Sequence, residues 1–422
     1  MDTVDRRSVI YQIAKELKMR DGRKALLVKE PVLPNGKSSK IRVVGGIATS
    51  RETISAIAGM PYSKLRERMK EAIKNRIPPS RGSPIWKRVN LRLHDLPILK
   101  HYQGEPGRYL TSSIVIFKDE SGNYSASYHR MLLLSGNRLV LRAVEGRKLH
   151  RAISKFRELG EDLPVAVSIG SPVDVMLASA MPAEGYDKLS IAGAISGRSV
   201  PMSPCDEVDA WAPSESEIVL CGRITGEDEE EGPFYEILGK DIVRRQPVME
   251  VDEVHLRENA IYQAILPASR EHELLMGMPV EPLIIERVSE VAEVIDVAMT
   301  PGGGGWIEVA ISIRKESADQ PALAGLMAIS AHKSLKRVIV VDEDVNVNDY
   351  IEVMRAVVQR AHLPNDYKFI SGIKGSSLDH SNLRYVQVNG ETRLIKLPQG
   401  KLIIDATKKG PKELFEPPTI PE

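Results

Sequence analysis

Cysteine is scarce: the 422 residues contain two, Cys205 and Cys221. Two cysteines cannot build the disulfide framework of a small secreted domain, and their spacing is not that of metal ligands. Aromatic residues make up 5%, too few for a base-stacking surface. An excess of one charge is also missing. The 58 Lys+Arg and 57 Asp+Glu leave a net charge of +1, so no global field recruits nucleic acid or an acidic membrane. Only a local basic pocket for a phosphate is left open. The longest apolar run, Ala322 to Ala331, is far short of the roughly 20 residues of a membrane span. The first residues, Met1-Asp-Thr-Val-Asp-Arg-Arg, have neither the apolar core nor the small-residue cleavage site of a signal peptide. A soluble, cytoplasmic protein is expected.

What is present is ordinary globular composition, 42% hydrophobic and 27% charged, with length for two or three domains. Ile10, Ile13, Ala14 and Leu17 fall at helical spacing and predict a helix near 6–18. A strand-like run from Ile41 precedes a short helix that Ser50 can cap, and 76–85 is rich in turn formers, a linker. From about 108 short strands dominate: Tyr109–Phe117, Tyr124–Leu134, Arg138–Arg142, Leu163–Ile169 and Glu217–Ile224. They predict a strand-rich, barrel-like domain over about 108–290, with helices near 147–158 and 172–180. The last third alternates strand and helix: Trp306–Ile313, Pro321–Ala331, Arg337–Val341 and Asp349–Arg360. That order predicts an α/β domain with a partly parallel sheet. The tail from Gly410 is too proline-rich for regular structure.

Five stretches bear on the chemistry. The acidic run Glu227–Glu231, continuing Gly-Pro-Phe-Tyr-Glu236, has the composition of a solvated loop. Gly232-Pro233 and two aromatics could instead fix two carboxylates across a turn and make one a general acid. Arg130, after Tyr128-His129, opens an apolar strand and by alternation shares a face with Tyr128 and Leu132. It is either a solvated strand end or an arginine waiting for a carboxylate or phosphate. Arg147-Lys148-Leu-His-Arg151 opens a helix, either an amphipathic surface or a phosphate site. Asp342–Asn348 mimics a calcium loop but has Val347 and Val353 where glycine and glutamate belong. Pro301–Trp306 is followed by no Gly-Lys-Ser/Thr and is no phosphate loop.

In order along the chain, several pieces resemble the UbiD-like family of decarboxylases that use prenylated FMN. Asp95-Leu-Pro with Gly107-Arg-Tyr-Leu-Thr is similar to its flavin-domain entry, and Ser127-Tyr-His-Arg130 to its "xYR" strand. Glu217-Ile-Val-Leu-x-Gly with Glu231-Gly-Pro-Phe-x-Glu236 is similar to its signature around the catalytic acids. Lys336–Val345, Gly375–Asp379 and Ile404–Thr407 resemble its C-terminal motifs, so the likeness runs from about 41 to 409.

The resemblance implies an α+β multidomain fold: an N-terminal α/β domain (1–107), a central split β-barrel that binds flavin (108–295), and a C-terminal α/β domain (296–422) that often mediates homo-oligomerisation. It implies a catalytic Arg130, Glu231 and Glu236. Glu236 is expected to be the proton donor, while Glu231 fixes Arg130 so that the guanidinium can hold the substrate carboxylate. It places flavin contacts at Tyr128, His129, Arg130, Arg142, Ala143, Val144, Arg147 and Lys148. Members generally hold the flavin phosphate through Mn or Mg. Here Ser125, Lys148 and Lys188 stand at the ligand positions, a set that disfavours a hard cation. The two ammoniums are expected to neutralise the phosphate without metal; alternatively, with a one-residue offset, Asp187 is a ligand, or cofactor binding has been lost.

The expected substrate is a small unsaturated acid, phosphorylated, best matched by trans-anhydromevalonate 5-phosphate giving isopentenyl phosphate, with a flavin prenyltransferase supplying the cofactor. The rivals are an aromatic or polyprenyl-hydroxybenzoate decarboxylase and a non-catalytic flavin-binding or assembly subunit.

Overall fold

The computed structural model describes residues 1–183, 185–388 and 391–415. The part of the proline-rich tail from 416 on lies outside the described residues. The chain divides into two compact units, Met1–Leu275 and Met276–Glu422, where the sequence is read as three segments.

The first unit holds two main sheets. A four-stranded sheet runs Asp2–Ser8, Leu26–Val32, Arg42–Gly45, Ile261–Gln263. Its first strand corrects the sequence reading, which begins a helix at residue 6. Arg6, Arg7 and Ser8 pair in register with Glu30, Pro31 and Val32, and Tyr11, at φ 64, turns the chain into a helix Gln12–Arg20. Its buried Ile13, Ala14 and Leu17 are those the spacing selects. Ser50 caps the helix Arg51–Ala58 as expected.

The second sheet has nine strands, every pairing antiparallel. Its path runs Tyr109–Leu110, Met131–Leu133, Arg138–Leu141, Arg244–Arg257, Ile218–Glu231, Leu163–Ile169, Ile114–Lys118, Tyr124–Tyr128, with Trp86–Val89 also on Arg244–Arg257. Helices Lys148–Leu159 and Val173–Ala180 fall where the sequence puts them; a further helix, Lys188–Ser196, is unforeseen because it is apolar all round. One hydrophobic core runs unbroken from Val9 through Leu99, Leu110 and Leu220 to Leu266. That continuity is why residues 1–107 do not form a compact unit of their own. The two cysteines are bridged, Cα atoms 6.2 Å apart, within a buried cluster with Trp86 and Val219. The sequence shows no reason for that pair to meet.

The second unit carries a five-stranded sheet: Glu293–Met299, Glu308–Arg314, Arg337–Asp342, Gln399–Asp405, Tyr367–Ile373. The three middle strands are parallel and both edges antiparallel, as the strand–helix alternation predicts. Val309, Ile311 and Ile313 face helices Glu281–Val288 and Gln320–Ala331; Ala310, Ile339 and Val341 face helix Tyr350–Arg360. Helix Glu281–Val288 therefore belongs to this unit, ahead of the 295/296 border read from the sequence. Among the described residues no helix is long and apolar enough to cross a membrane.

Candidate active site

The site is built where the two longest strands meet. Ile218–Glu231 and Arg244–Arg257 pair along their length, ending with Glu231 opposite Arg244. The acidic run is thus a strand end and not a solvated loop; Glu227 and Glu230 are exposed while Glu231 is fully buried. Gly232, at φ 98, turns the chain where an added Cβ would lie 2.9 Å from the Ile242 carbonyl oxygen. Beyond it the strands Phe234–Glu236 and Gly239–Asp241 form a small hairpin pairing Phe234 with Asp241 and Glu236 with Gly239. The hairpin folds Glu236 and Asp241 back towards Glu231.

Arg130 comes from the gap between strands Tyr124–Tyr128 and Met131–Leu133. Its backbone is held by the Arg142 N–H, which donates to the Arg130 carbonyl at 3.1 Å. Its guanidinium is 7% exposed. Nε donates to Glu231 Oε1 at 2.9 Å and Nη2 to Oε2 at 2.9 Å, a bidentate fork. Nη2 also donates to Asp241 Oδ2 at 2.8 Å, and Nη1 to Glu236 Oε1. Burial works against the charge of Arg130, but the surrounding carboxylates outweigh it and hold the group firmly protonated. Asp241 is likewise desolvated, yet Arg130 and Arg244 (Nη1 to Oδ1, 2.6 Å) hold its carboxyl below the usual range.

Aromatic residues close the underside. Phe234 lies with its ring centroid 4.5 Å from the Arg130 guanidinium carbon. The fully buried Tyr109 hydroxyl donates to Glu231 Oε1 at 3.2 Å and accepts from the Gly232 N–H at 3.1 Å. On the other side, His272 Nε2 stands 3.8 Å from Glu236 Oε2.

The three residues expected to be catalytic therefore meet through the Arg130 side chain. Of the expected flavin contacts, Tyr128, His129, Arg130, Arg142 and Ala143 form one connected group. His129 bonds the Arg142 carbonyl through Nδ1 at 2.8 Å and Ser127 through Nε2 at 2.8 Å; burial lowers its pKa to about 4. The Ala143 N–H is held by Gln246 at 2.8 Å. Val144 and Arg147 are exposed, Arg147 at the cap position of its helix. Ser125 is buried on the strand leading to Tyr128. Lys148 pairs with Asp119 at 2.8 Å, and Lys188 donates to the carbonyls of Ala178 and Met181. Asp187 accepts the N–H groups of Tyr124 (2.8 Å) and Ser190 (2.7 Å).

Sequence reasoning misses Asp241, Arg244 and His272. Asp241 is signalled only by falling five residues past Glu236, and its role needs the hairpin register. His272 sits in Arg270-Glu-His-Glu273, a charged stretch with no motif attached. Among the described residues, the grouping with metal-ligand geometry is Cys221, Glu253 and His255, none of them part of this site. Cys221 is bridged, and Glu253 accepts three backbone N–H groups.

A flavin fits this surround. The Tyr128 hydroxyl and Thr111 Oγ1 are buried without hydrogen-bond partners, so polar groups next to Arg130 and Tyr109 in the chain are open to a ligand. A divalent cation does not fit the expected positions: a hydroxyl and two ammoniums offer no anionic oxygen, and Asp187 is occupied by backbone.

Residues 74–270 match the family model of the 3-octaprenyl-4-hydroxybenzoate carboxy-lyase Rift-related domain, and 273–406 that of its C-terminal domain. The anhydromevalonate phosphate decarboxylase of Methanothermobacter thermautotrophicus is 36% identical over 83% of this chain and 84% of that protein. The Archaeoglobus fulgidus protein of the same name is 36% identical over 92% and 88%. The UbiD-class enzyme HmfF from Pelotomaculum thermopropionicum, in complex with FMN, superposes with a TM-score of 0.90 at 31% identity, covering 100% of this chain and 94% of that one. An evolved dimeric form of that enzyme in complex with prFMN gives a TM-score of 0.87 at 30% identity, with coverage of 100% and 94%.

Proposed function

Since the chain belongs to the UbiD family of decarboxylases, we propose that it decarboxylates trans-anhydromevalonate 5-phosphate to isopentenyl phosphate with prenylated FMN, supplied by a flavin prenyltransferase. The observation that carries the reaction class is the buried guanidinium of Arg130 among three carboxylates. The relatives' shared name carries the substrate. We assign the nine-stranded sheet as the flavin-binding split barrel of a homo-oligomer.

Arg130 has five N–H donors, of which Glu231, Asp241 and Glu236 use four. A substrate carboxylate is received at Nη1, where the spare proton lies and where Glu236 holds a single contact. The bidentate fork to Glu231 fixes the guanidinium plane, so the incoming carboxylate meets an oriented donor. Three carboxylates face two guanidiniums, Arg130 and Arg244, leaving one negative charge in excess. Glu236 is the carboxyl we assign as the acid: it has one arginine contact and its side chain is 16% exposed, against none for Glu231. Once the substrate carboxylate occupies Nη1, Glu236 is free as the acid that protonates the carbon from which carbon dioxide leaves.

Prenylated FMN supplies the electron sink that amino-acid side chains lack. Tyr128, His129, Arg142 and Ala143 would line it, and Lys148 and Lys188 would neutralise its phosphate without a metal. A complete set of Arg130, Glu231 and Glu236 weighs against a non-catalytic subunit.

The test is co-expression with a flavin prenyltransferase, mass spectrometry of the released ligand, and assay of isopentenyl phosphate formation beside cinnamate and 4-hydroxybenzoate as competitors. Prenylated FMN with turnover of the phosphorylated acid is expected. Turnover of an aromatic acid alone would overturn the substrate, and a flavin-free protein would overturn the activity.

A further inference from the structure

His272 faces Glu236, and neither the family motifs nor the charge pattern single it out. It lies on helix Arg270–Gly277. Ser269 caps that helix through its hydroxyl, which accepts the His272 N–H at 3.3 Å. Just before the cap, Ala268 sits at φ 54, in the left-handed region that a residue with a Cβ rarely adopts. There its N–H donates to His272 Nδ1 at 3.2 Å. A nitrogen that accepts a backbone N–H carries no proton, so in the neutral ring the proton sits on Nε2. Burial favours the neutral ring, lowering the His272 pKa. The strained backbone thus selects one tautomer and aims its N–H at the carboxyl of Glu236.

At 3.8 Å that N–H is too far from Glu236 Oε2 for a hydrogen bond while Oε1 stays on Arg130. Resting on the proposed function of Glu236, we infer that His272 is a positioning residue, the second station of the Glu236 carboxyl when a substrate carboxylate displaces it from Arg130 Nη1. A side-chain rotation then closes the gap to Nε2. The contact keeps Glu236 off Nη1 and stabilises the carboxylate that remains once its proton has been given up. No proton moves to or from His272. The charged groups facing the pair are Arg130 and Asp241 from the sheet and hairpin, and, on the same helix, Glu273 held by Arg270 at 3.2 Å.

Two variants separate this role from a structural one. In His272→Asn the side-chain oxygen can still accept the Ala268 N–H, but nothing reaches Glu236. In His272→Gln the amide reaches as far as Nε2. With flavin content unchanged, His272→Asn should lower kcat on the order of tenfold. It should also raise KM several-fold, because Glu236 returns to compete at Nη1. His272→Gln should recover most of kcat. Equal damage in both variants, or none in His272→Asn, would overturn the proposal. Histidine 15N spectra read the tautomer without turnover, and a protonated Nδ1 in the flavin-loaded enzyme would also overturn it. The two readings fail separately. An active Glu236→Gln enzyme defeats the proton-donor assignment and leaves the tautomer result standing. An inactive Glu236→Gln with a wild-type His272→Asn defeats only this inference.

Discussion

Tyr109 shows how much of the site's order rests on fully buried residues beneath it. Its hydroxyl links Glu231 Oε1 to the Gly232 N–H, so Tyr109→Phe leaves a buried carboxylate oxygen and a backbone donor short of a partner. We expect a loss of about 1–3 kcal/mol in stability, read as a lower Tm, and a kcat lower on the order of tenfold as the Arg130 fork loosens. Asp241 accepts from Arg130 Nη2 and from Arg244 Nη1. Asp241→Asn replaces that charge-assisted contact with a neutral one, so we expect the Arg130 plane to loosen and KM for the acid to rise several-fold. An unchanged KM would mean that the Glu231 fork alone fixes the guanidinium. Arg130, Glu231 and Glu236 are legible in the sequence because their spacing is shared with a family. Asp241 and His272 are not, since one needs the register of a hairpin and the other the tautomer of a ring.

The strands that carry these side chains depend on a close backbone crossing. At Gly222 the pairing with Arg244–Arg257 shifts register, and an added Cβ would meet the Glu250 carbonyl oxygen at 1.9 Å. That atom belongs to the partner strand and cannot turn aside, so Gly222→Ala must push the two longest strands apart. Roughly 1–3 kcal/mol is the usual cost of such overpacking, and here the displacement reaches Glu231 as well. A lower Tm together with reduced flavin retention is expected; a wild-type Tm would show that the strands give way freely. His129, beside Arg130 in the gap between two strands, sets a pH limit. Its folded pKa lies at about 4, below the ordinary 6.5, so the folded state binds fewer protons. Its contribution is fully present above about pH 6.5 and is lost as pH falls from there towards 4. His129→Gln should flatten that part of the Tm profile. At this scale the sequence is most readable where a period repeats, as in Arg337–Asp342 and Tyr350–Arg360. It fails at residues 2–8, where the strand is defined by pairing with Glu30, Pro31 and Val32 and not by a strong pattern of its own.

Over the whole molecule, a net charge of +1 gives no long-range pull on a flavin phosphate or a phosphorylated acid. Anion binding must then be local, and on the proposed reading it falls to the segments around the strand Tyr124–Tyr128. Lys148 opens a helix whose first N–H groups are oriented for an anion, and Lys188 opens the helix capped by Asp187, which also holds the Tyr124 N–H. Lys148 is paired to Asp119 at 2.8 Å, so a phosphate must compete with that carboxylate. The Ser121 and Asn123 N–H groups, at 3.0 and 2.9 Å from Asp119 Oδ1, keep the displaced acid stabilised. If ammoniums do the work that a divalent ion would otherwise do, chelation should change nothing: dialysis against EDTA leaves flavin content and turnover as they were. Lys148→Ala should then release flavin, and more so at high salt, because one remaining cation is screened over about 10 Å at 0.1 M ionic strength. Loss of flavin on chelation, restored by manganese or magnesium, would show instead that Asp119 or Asp187 leaves its backbone donors to take a metal.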